Sequence, residues 1–409
     1  VLFSIVSGVL GLGDPKQLGR MGLKTLLLYL VTTVTAISIG LLVVNFTNPG
    51  IQKEEKVRLE KRLSYELWAK DGGIALKDEQ RALQTADPEL VRTVSQKLAA
   101  EMADNTTQEL QSKNEQAKAS QQSPLQPLVD MVPENLVASM SDGRLMLQVI
   151  FFALFFGIAL SLLPHERVGT VKQFFIGMNE VFVKMVHIVM IAAPFFVFCL
   201  MAGVLAKTAD STAQMLVIFQ QLGYYTLVVV VGLAILLFGF YPLLLKIFRV
   251  QISYSAFFRG MSPAQFLAFS TSSSAATLPV TIDCVENNLK VPKSVTDFVL
   301  PIGATVNMDG TSLYQAVAVI FLAQFHDVDL SLMQQIGIIG TATLASIGAA
   351  AVPSAGLIML MIVLTSVGLN PLWVAIILPV DRILDMCRTT INVTSDATVA
   401  AIIARWEEK

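Results

Sequence analysis

Charged side chains are scarce in this chain. Of its 409 residues only 15% are Asp, Glu, Lys or Arg, whereas 54% are hydrophobic and the mean hydropathy is +0.63. Soluble domains carry about 25% charged residues, so this composition excludes an ordinary soluble fold and indicates a membrane protein. The net charge of -2 leaves no basic surplus for nucleic acid and no acidic excess for a cationic partner.

Cysteine and catalytic signatures are also lacking. The three cysteines lie far apart, which argues against a disulfide framework or a metal cluster: Cys199, Cys284 and Cys387. No Ser-His-Asp, HExxH or phosphate-loop pattern occurs, and His165 and His187 have no nearby partner pattern, so an enzyme is not expected.

Long apolar stretches dominate the rest of the chain. Four of them can cross about 30 Å of hydrocarbon, namely residues 23–47, 144–163, 178–206 and 216–248. The chain opens on Val1 inside a further apolar stretch without a charged flank, which we interpret as the end of a truncated membrane helix within residues 1–22.

A charge-rich insert separates the first two of these stretches. Residues 51–122 contain 12 basic and 13 acidic residues, which predicts that the insert at 51–126 is a solvated excursion. Val57–Lys70 has the pattern of an amphipathic helix, and we assign it no chemistry. Lysine and arginine alternate between short loops in a way that places the insert on the outer side of the membrane.

Two later apolar segments are broken near their middle. They span 257–289, interrupted between Ser270 and Pro279, and 335–368, interrupted between Gly348 and Gly356. Backbone groups freed at such breaks must be buried in protein or line a cavity, so both are predicted to be re-entrant hairpins; two kinked spanning helices remain the alternative. Each precedes an apolar helix carrying polar groups, at 295–325 and 371–405, and such a repeat points to a transporter's binding site.

The polar groups on those two helices are candidates for the site. Asn307-Met308-Asp309-Gly310-Thr311 stands in the middle of the first helix, and Gly310 is expected to let that helix open. The second helix carries polar residues three or four positions apart, on one face: Asp381, Asp385, Arg388, Thr389, Asn392 and Asp396.

Charges at this depth need compensation. An ionised Asp or Arg at the bilayer centre costs about 2.5 to 3.5 kcal/mol on insertion scales. A structural bridge between Asp385 and Arg388 is one explanation, but it leaves Asp309 and Asp396 without a cation. We therefore expect bound alkali ions, which prefer hard oxygen ligands, beside an anionic ligand held by Arg388.

Four motifs in order carry a family resemblance. They are Ser272-Ser273-Ser274 with Thr277-Leu278-Pro279, Asn307 to Thr311, Val352-Pro353 with Gly356, and Asp385-Met386-Cys387-Arg388-Thr389 through Asn392 to Asp396. Through them the chain resembles the dicarboxylate/amino acid:cation symporters, the glutamate transporter family, in its prokaryotic sodium-coupled type. The resemblance covers essentially the whole chain apart from the insert.

The resemblance implies a fold and a mechanism. The fold is an all-α polytopic membrane protein with inverted repeats, two re-entrant helical hairpins and an elevator motion in a homotrimer. Residues 23–50 and 216–409 would form the transport domain, and 127–215 the scaffold and trimerisation helices. Acidic amino acids would be carried inward with sodium ions, without an organic cofactor, across a plasma membrane that is expected to be a bacterial inner membrane.

The resemblance also implies roles for substrate-binding residues. Arg388 would bind the side-chain carboxylate of the substrate, Asp385 its ammonium group, and Asn392 and Thr389 its backbone ends, assisted by Thr311. The hairpin tips would supply backbone donors, the second tip acting as the outer gate: Ser273, Ser274, Val352, Pro353 and Gly356.

Three sodium sites follow from the same resemblance. The first maps to Asp396, Asn392, Asn307 and Gly303. The second maps to Thr305, Met308, Ser346 and Ile347, largely through carbonyl groups. The third maps to Asp309, Asn307, Tyr29, Thr32 and Thr33, where ordinary interhelical hydrogen bonds are the alternative explanation for the three polar residues of the first helix.

Some positions depart from the family pattern. Gln315 stands where eukaryotic members carry a glutamate linked to proton countertransport, so that coupling is not expected. Ala275, Ser354 and Cys387 replace a serine and two glycines, which affects affinity and gating. Arginine at 388 disfavours neutral substrates and aspartate at 385 disfavours plain C4-dicarboxylates, although symport of succinate or malate, or coupling to protons, remains the alternative.

Overall fold

The computed structural model describes residues 2, 3, 6, 15–51, 54–76, 78, 80–103, 132–133, 135–141, 146–164, 167–178, 181, 184–185, 212–347 and 355–407. Within these ranges the structure is helical with short connections and contains no strand. The helices with defined bounds are α1 Pro15–Thr47, α2 Glu55–Asp71, α3 Pro88–Ala103, α4 Leu136–Ser141, α5 Met146–Leu162, α6 Thr212–Ala234, α7 Tyr241–Ile247, α8 Tyr254–Thr271, α9 Ser274–Asp283, α10 Lys293–Val306, α11 Asp309–Phe325, α12 Leu332–Ile347, α13 Ala355–Ser366 and α14 Val374–Glu407.

Two described helical segments are long and apolar enough to cross a membrane, Arg20–Thr47 and Leu222–Ile247. They correspond to the stretches predicted at 23–47 and 216–248. The second runs from α6 through a π-helical turn at Ile235–Phe240 into α7. Pro242 has no N–H to continue an α-helical ladder, and the wider turn directly precedes it. The stretch predicted at 144–163 matches α5, whereas that at 178–206 lies largely outside the described residues.

The core consists of two apolar clusters with a polar layer between them. One cluster joins the second half of α1 to α6, α11, α13 and the start of α14. The other joins the first half of α1 to α8, α9, α10 and the end of α14. The polar residues of α1, α11 and α14 lie between the two, so the chain buries its charged groups in the middle of its longest helices.

The first broken segment is a helical hairpin. Helix α8 ends at Ser272, which adopts the left-handed conformation at φ 51, and Ser273 then caps α9 by accepting a hydrogen bond from Ala276 N. The turn is therefore only two serines long. Of the rest of the predicted break, Ser270 and Thr271 belong to α8, and Ser274 to Pro279 belong to α9. Helices α8 and α9 pack against each other, and α8 also packs along α14.

The second broken segment also folds back on itself. Helices α12 and α13 pack against each other, and α13 contacts α11 and α14. Residues 348–354, which include Val352, Pro353 and Ser354, lie outside the described residues. The predicted break between Gly348 and Gly356 therefore falls almost entirely outside the described residues.

The opening in the 295–325 helix lies earlier than predicted. Helix α10 ends at Val306, and Asn307 and Met308 leave the helical region, with φ/ψ of -101/93 and -118/56. Gly310, expected to open the helix, instead lies in the first turn of α11. It permits close packing there, because a Cβ on Gly310 would lie 2.5 Å from Arg388 O.

The insert is not wholly solvated, which corrects the prediction from its charge content. Helix α2 covers the predicted amphipathic stretch, but it buries two charged residues together with its apolar face: Arg62, Leu63, Tyr65, Glu66 and Ala69. Tyr65 and Ala69 belong to the same apolar cluster as α11 and α13. Charge content missed this because the buried arginine has buried acidic partners.

Candidate functional site

Arg388 lies at the centre of the polar layer and is fully buried. Its Nη2 donates to Asp385 Oδ1 at 2.7 Å and lies 3.2 Å from Asp381 Oδ1. Its Nε and Nη1 have no hydrogen-bond partner within the described part of the chain. Both acidic neighbours therefore use one edge of the guanidinium, and the remaining N–H groups are available for another acceptor.

The ring of Tyr314 packs against the face of the Arg388 guanidinium. The guanidinium carbon lies 3.9 Å from the centroid of the Tyr314 ring, a cation–π distance. The hydroxyl of Tyr314 donates to Asp381 Oδ1 at 2.8 Å. Arg382 approaches Asp385 Oδ2 at 3.8 Å on the less buried side. Two arginines and two aspartates therefore balance in charge, and the predicted alternative of an Asp385–Arg388 bridge describes the arrangement seen.

Asp309 is surrounded by hydroxyl groups. Its Oδ1 accepts from Thr33 at 2.8 Å and from Thr32 at 3.3 Å, while its Oδ2 accepts from Ser395 at 2.6 Å and Tyr241 at 3.1 Å. No Lys or Arg of the described residues forms an ion pair with it. Hydroxyl oxygens donate or coordinate as their hydrogens rotate, so this shell suits either a lone carboxylate or a bound cation.

Asn307 connects Asp309 to a second buried carboxylate. Its Nδ2 donates to Asp396 Oδ1 at 2.8 Å and to Ser395 Oγ at 2.9 Å, and its Oδ1 lies 3.3 Å from Thr32 Oγ1. Gly303 faces Asp396, because a Cβ there would lie 2.7 Å from Asp396 Cγ. The absence of a side chain at 303 therefore lets this carboxylate and the Tyr29 hydroxyl pack directly against α10.

Tyr29 contacts both carboxylate clusters: its backbone carbonyl accepts from Thr32 Oγ1 at 3.0 Å, beside Asp309, while its side chain extends toward Asp396. A Cβ on Gly303 would approach Tyr29 Oη and Asp396 Oδ1 closer than 3.0 Å, and the tyrosine hydroxyl donates to Val299 O at 2.9 Å. Helical side chains lean toward the N-terminus of their helix, so the long tyrosine side chain reaches a layer below Thr32 and Thr33.

Asn392 joins α14 to the first turn of α11. Its Oδ1 accepts from Gly310 N at 2.8 Å and its Nδ2 donates to Thr311 Oγ1 at 3.3 Å. This satisfies one of the unpaired N–H groups at the start of α11. Thr389, one turn earlier, donates its hydroxyl to Asp385 O at 2.8 Å. Asn392 therefore lies between the Arg388 and Asp396 clusters and orients both helices.

The two hairpins meet this layer. In the second, a Cβ on Gly356 would lie 3.2 Å from Arg388 Nη1 and 3.3 Å from Thr311 Cγ2, so only glycine fits without displacing a neighbour. Met308 is buried against Ala275 of the first hairpin and Met359 of the second. Ser272 Oγ, at the first hairpin's turn, is buried without a hydrogen-bond partner among the described residues.

Comparison with known proteins identifies the family. The sequence model of the sodium:dicarboxylate symporter family matches residues 1–406. The chain belongs to this family. Because the family is one of transporters, the symporter is a carrier and not an enzyme, as its sequence predicts.

Characterised relatives resemble the symporter over nearly its full length. An "Excitatory amino acid transporter" of Caenorhabditis elegans is 37% identical over 100% of this chain and 78% of the relative. "Excitatory amino acid transporter 1" of Ambystoma tigrinum is 36% identical over 98% of this chain and 73% of the relative. "Excitatory amino acid transporter 2" of Mus musculus is 36% identical over 98% and 69%.

Most predicted site residues of the symporter lie in or beside one layer. Asn307, Thr305 and Met308 are buried at the break between α10 and α11, where Thr305 donates its hydroxyl to Ile302 O at 3.1 Å. Ser273 and Ser274 are buried at the first hairpin turn. Ser346 and Ile347 end α12, but their side chains, like Val352 and Pro353 altogether, fall outside what the structure describes.

Sequence reasoning missed several members of the layer. The sequence assigns no role to two donors to Asp309, Tyr241 and Ser395. It also assigns none to Tyr314, whose ring packs against Arg388, and it places Asp381 on the polar face of α14 without a role. The available signals were weak. Tyr241 stands before a proline in an apolar run, and Tyr314 follows the 307–311 motif by one helical turn.

Proposed function

We propose that the symporter carries aspartate or glutamate inward together with sodium ions. The observation that carries this proposal is the state of Arg388, a fully buried guanidinium with two nitrogens unpaired. Unpaired buried donors cost about 1–3 kcal/mol each, and more when charged. A carboxylate offers two acceptors to the planar guanidinium, so an acidic side chain is the ligand that best satisfies it. The printed names of the relatives support the same substrate class.

Asp385 favours an amino acid over a plain dicarboxylate. Its carboxylate lies beside Arg388 and is less completely buried than that of Asp381, with 10% against 4% of its side chain exposed. An ammonium group placed there forms an ion pair that succinate or malate cannot form. Thr389, Asn392 and Thr311 lie next to it and would bind the substrate's backbone ends. Ser273, Ser274 and Gly356 bring the hairpin tips to the same layer.

Sodium ions would neutralise the remaining carboxylates. Oxygen atoms of Asp309, Thr32, Thr33 and Asn307 already lie around one point, which supports a site there. Asp396 is a second buried carboxylate with which no Lys or Arg of the described residues forms an ion pair, and this supports a second site beside Gly303. A third, at Thr305 and Met308 with the end of α12 at Ser346 and Ile347, would use carbonyl groups freed where α10 ends.

We further propose that transport uses an elevator motion in a multi-pass homotrimer of the plasma membrane. Residues 23–50 and 216–409 would move, residues 127–215 would form the trimeric scaffold, and the hairpins would be re-entrant. The packing of Gly356 against Arg388 supports a gating role for the second hairpin, because this tip must withdraw before a ligand reaches the guanidinium.

Substitution of Arg388 tests the substrate assignment. Arg388→Ala should abolish sodium-driven uptake of labelled aspartate and glutamate into proteoliposomes, with the trimer intact by native mass spectrometry. Because Arg388→Ala leaves two buried aspartates without their partner, Arg388→Lys serves as a milder variant that retains charge but loses the planar fork. The exposed Arg259 provides the matched control Arg259→Ala. Normal uptake by both Arg388 variants would refute the assignment.

Two further measurements decide between the alternatives. If succinate displaces labelled aspartate as well as unlabelled aspartate does, the symporter carries C4-dicarboxylates. If uptake is equally fast without sodium under an imposed pH gradient, protons are the coupling ion. Because each net charge moved is worth about 2.3 kcal/mol per 100 mV, the voltage dependence of uptake counts the ions carried.

A further inference from the structure

Helix α2 of the insert contacts the C-terminal end of α11 and the turn that precedes α14. The ring centroid of the buried Tyr65 lies 5.7 Å from that of Trp373, the residue directly before α14. Lys61 Nζ lies 5.1 Å from the centre of the Phe325 ring at the end of α11. Both contacts join the insert to residues of the proposed transport domain.

A buried ion cluster fixes this contact. Arg62 uses all five of its N–H groups. Its Nε donates to Glu66 at 2.8 Å, and Nη1 and Nη2 each donate to Asp78 at 2.6 Å. In addition, Nη1 donates to Asp327 O at 3.0 Å and Nη2 donates to Gln80 O at 2.8 Å. Burial disfavours the charged guanidinium, but the bonds to Asp78 and Glu66 outweigh it and raise the pKa of Arg62. The bond to Asp327 O crosses from the insert to the loop after α11.

Other bonds repeat this crossing. Asp78 Oδ2 accepts from Asp329 N at 3.2 Å, and Gln80 Nε2 donates to Asp329 Oδ2 at 3.2 Å. Gly50, before α2, packs on the end of α11, where a Cβ would lie 2.7 Å from Gln324 Cβ, and its N–H donates to Gln324 Oε1 at 3.1 Å. The chain therefore contacts α11 immediately before the insert begins as well as within the insert.

The two connections that join the insert to the rest of the chain differ in length, and the shorter one leads to the proposed transport domain. Seven residues separate α1 from α2, whereas 32 residues separate α3 from α4, the first helix of the proposed scaffold. An extended chain spans at most about 3.3–3.6 Å per residue, so the second connection can reach roughly 100 Å and the first only about 25 Å. The short connection therefore keeps α2 close to α1, whereas the number of residues between α3 and α4 sets no comparably close limit on their distance.

We propose that α2, α3, Asp78 and residues 80–84 form a cap that belongs to the moving transport domain and travels with it, rather than with the scaffold. The proposal rests on the elevator motion proposed above. Its physical basis is the buried, fully hydrogen-bonded Arg62 cluster, since such clusters fix one docking geometry and lose much if one partner is removed.

Cross-linking tests the cap directly. In a chain whose three cysteines are replaced, Gln80→Cys and Asp329→Cys place two thiols at exposed positions whose native side chains touch. A short bifunctional thiol reagent should link them in high yield, read by peptide mass spectrometry. Uptake of labelled aspartate should then stay within twofold of the untreated protein, because the link lies within one moving body. The single-cysteine chains control for modification alone.

The outcomes separate the cap from the proposed function. A link that forms and abolishes uptake overturns the proposal, because it would join a moving part to a fixed one. Failure to link overturns the docking itself, whatever the transport activity. Absence of sodium-driven uptake before any treatment contradicts the proposed function and the motion with it, while the yield of the link still tests the docking.

Release of the cap provides a second readout that needs no transport. Arg62→Gln should speed proteolysis between α2 and α3 at least tenfold, because Glu66 and Asp78 lose their shared partner. Arg92→Gln, at an exposed position of α3, is the matched control and should leave the cleavage rate unchanged. Equal rates for the two variants would show that the ion cluster does not hold the cap.

Discussion

Substitution of Gly303 by alanine tests the proposed sodium site at Asp396 most sharply. The new methyl group would lie closer than 3.0 Å to both Asp396 Oδ1 and Tyr29 Oη, and 2.7 Å from Asp396 Cγ. Carbon atoms in contact prefer about 3.5–4.0 Å, so the carboxylate has to move by roughly 1 Å. The change keeps every charge and every hydrogen-bonding side chain, so its effect reports on the position of the Asp396 carboxylate.

The magnitude follows from the cost of overpacking. Inserting one methyl group into a filled interior costs about 1–3 kcal/mol. If sodium binds at Asp396, most of that cost falls on the sodium-bound state, which needs the carboxylate in its present position. Since 1.4 kcal/mol is tenfold in an equilibrium constant, the sodium concentration for half-maximal uptake should rise about 5- to 150-fold.

Proteoliposomes with a graded external sodium concentration provide the assay, with thermal unfolding as a check on folding. Gly337→Ala is the matched control, because a Cβ on Gly337 meets nothing within 4 Å. The reasoning fails if Gly303→Ala folds normally and its half-maximal sodium concentration stays within twofold of the parent chain. It also fails if the control shifts as far.

Three further predictions concern neighbouring groups. Gly356→Ala should lower aspartate affinity with sodium dependence unchanged, measured by competition binding, because its Cβ would press on Arg388 Nη1 at 3.2 Å. Tyr314→Phe removes the hydroxyl bonded to Asp381 but keeps the ring, and should cost about 1.5–3 kcal/mol in thermal or chemical unfolding; no loss would contradict that role. Glu407→Gln breaks ion pairs with Arg20 and Lys24. Because these hydrogen bonds lower the pKa of Glu407, the pairs persist at neutral pH and break only as pH falls through that lowered pKa, so the melting difference from the parent should disappear in acid.

The sequence was most informative where membrane physics restricts what a residue can do. Arg388, Asp309 and Asp396 could be picked out because a charge in an apolar run needs a partner, and all three are buried. The two broken segments could be predicted because serine-rich and Gly/Pro-rich breaks interrupt an apolar helix. The charged insert misled the same reasoning, since charge content cannot show that Arg62 would meet Glu66 and Asp78 in the interior.

Composition, apolar run length and the spacing of polar residues thus determined by themselves that the chain lies in a membrane, that its helices break twice, and which face of α14 carries charge. Only the tertiary structure decided which of those charges meet. Tyr29 and Thr32 stand three residues apart on α1, yet the Tyr29 hydroxyl donates to Val299 O whereas the Thr32 hydroxyl donates to Asp309, and Gly303 and Gly310 face different neighbours. The spacing of residues along a helix fixes the direction in which each side chain points. The distance between two side chains on different helices depends instead on how α1, α10, α11 and α14 pack.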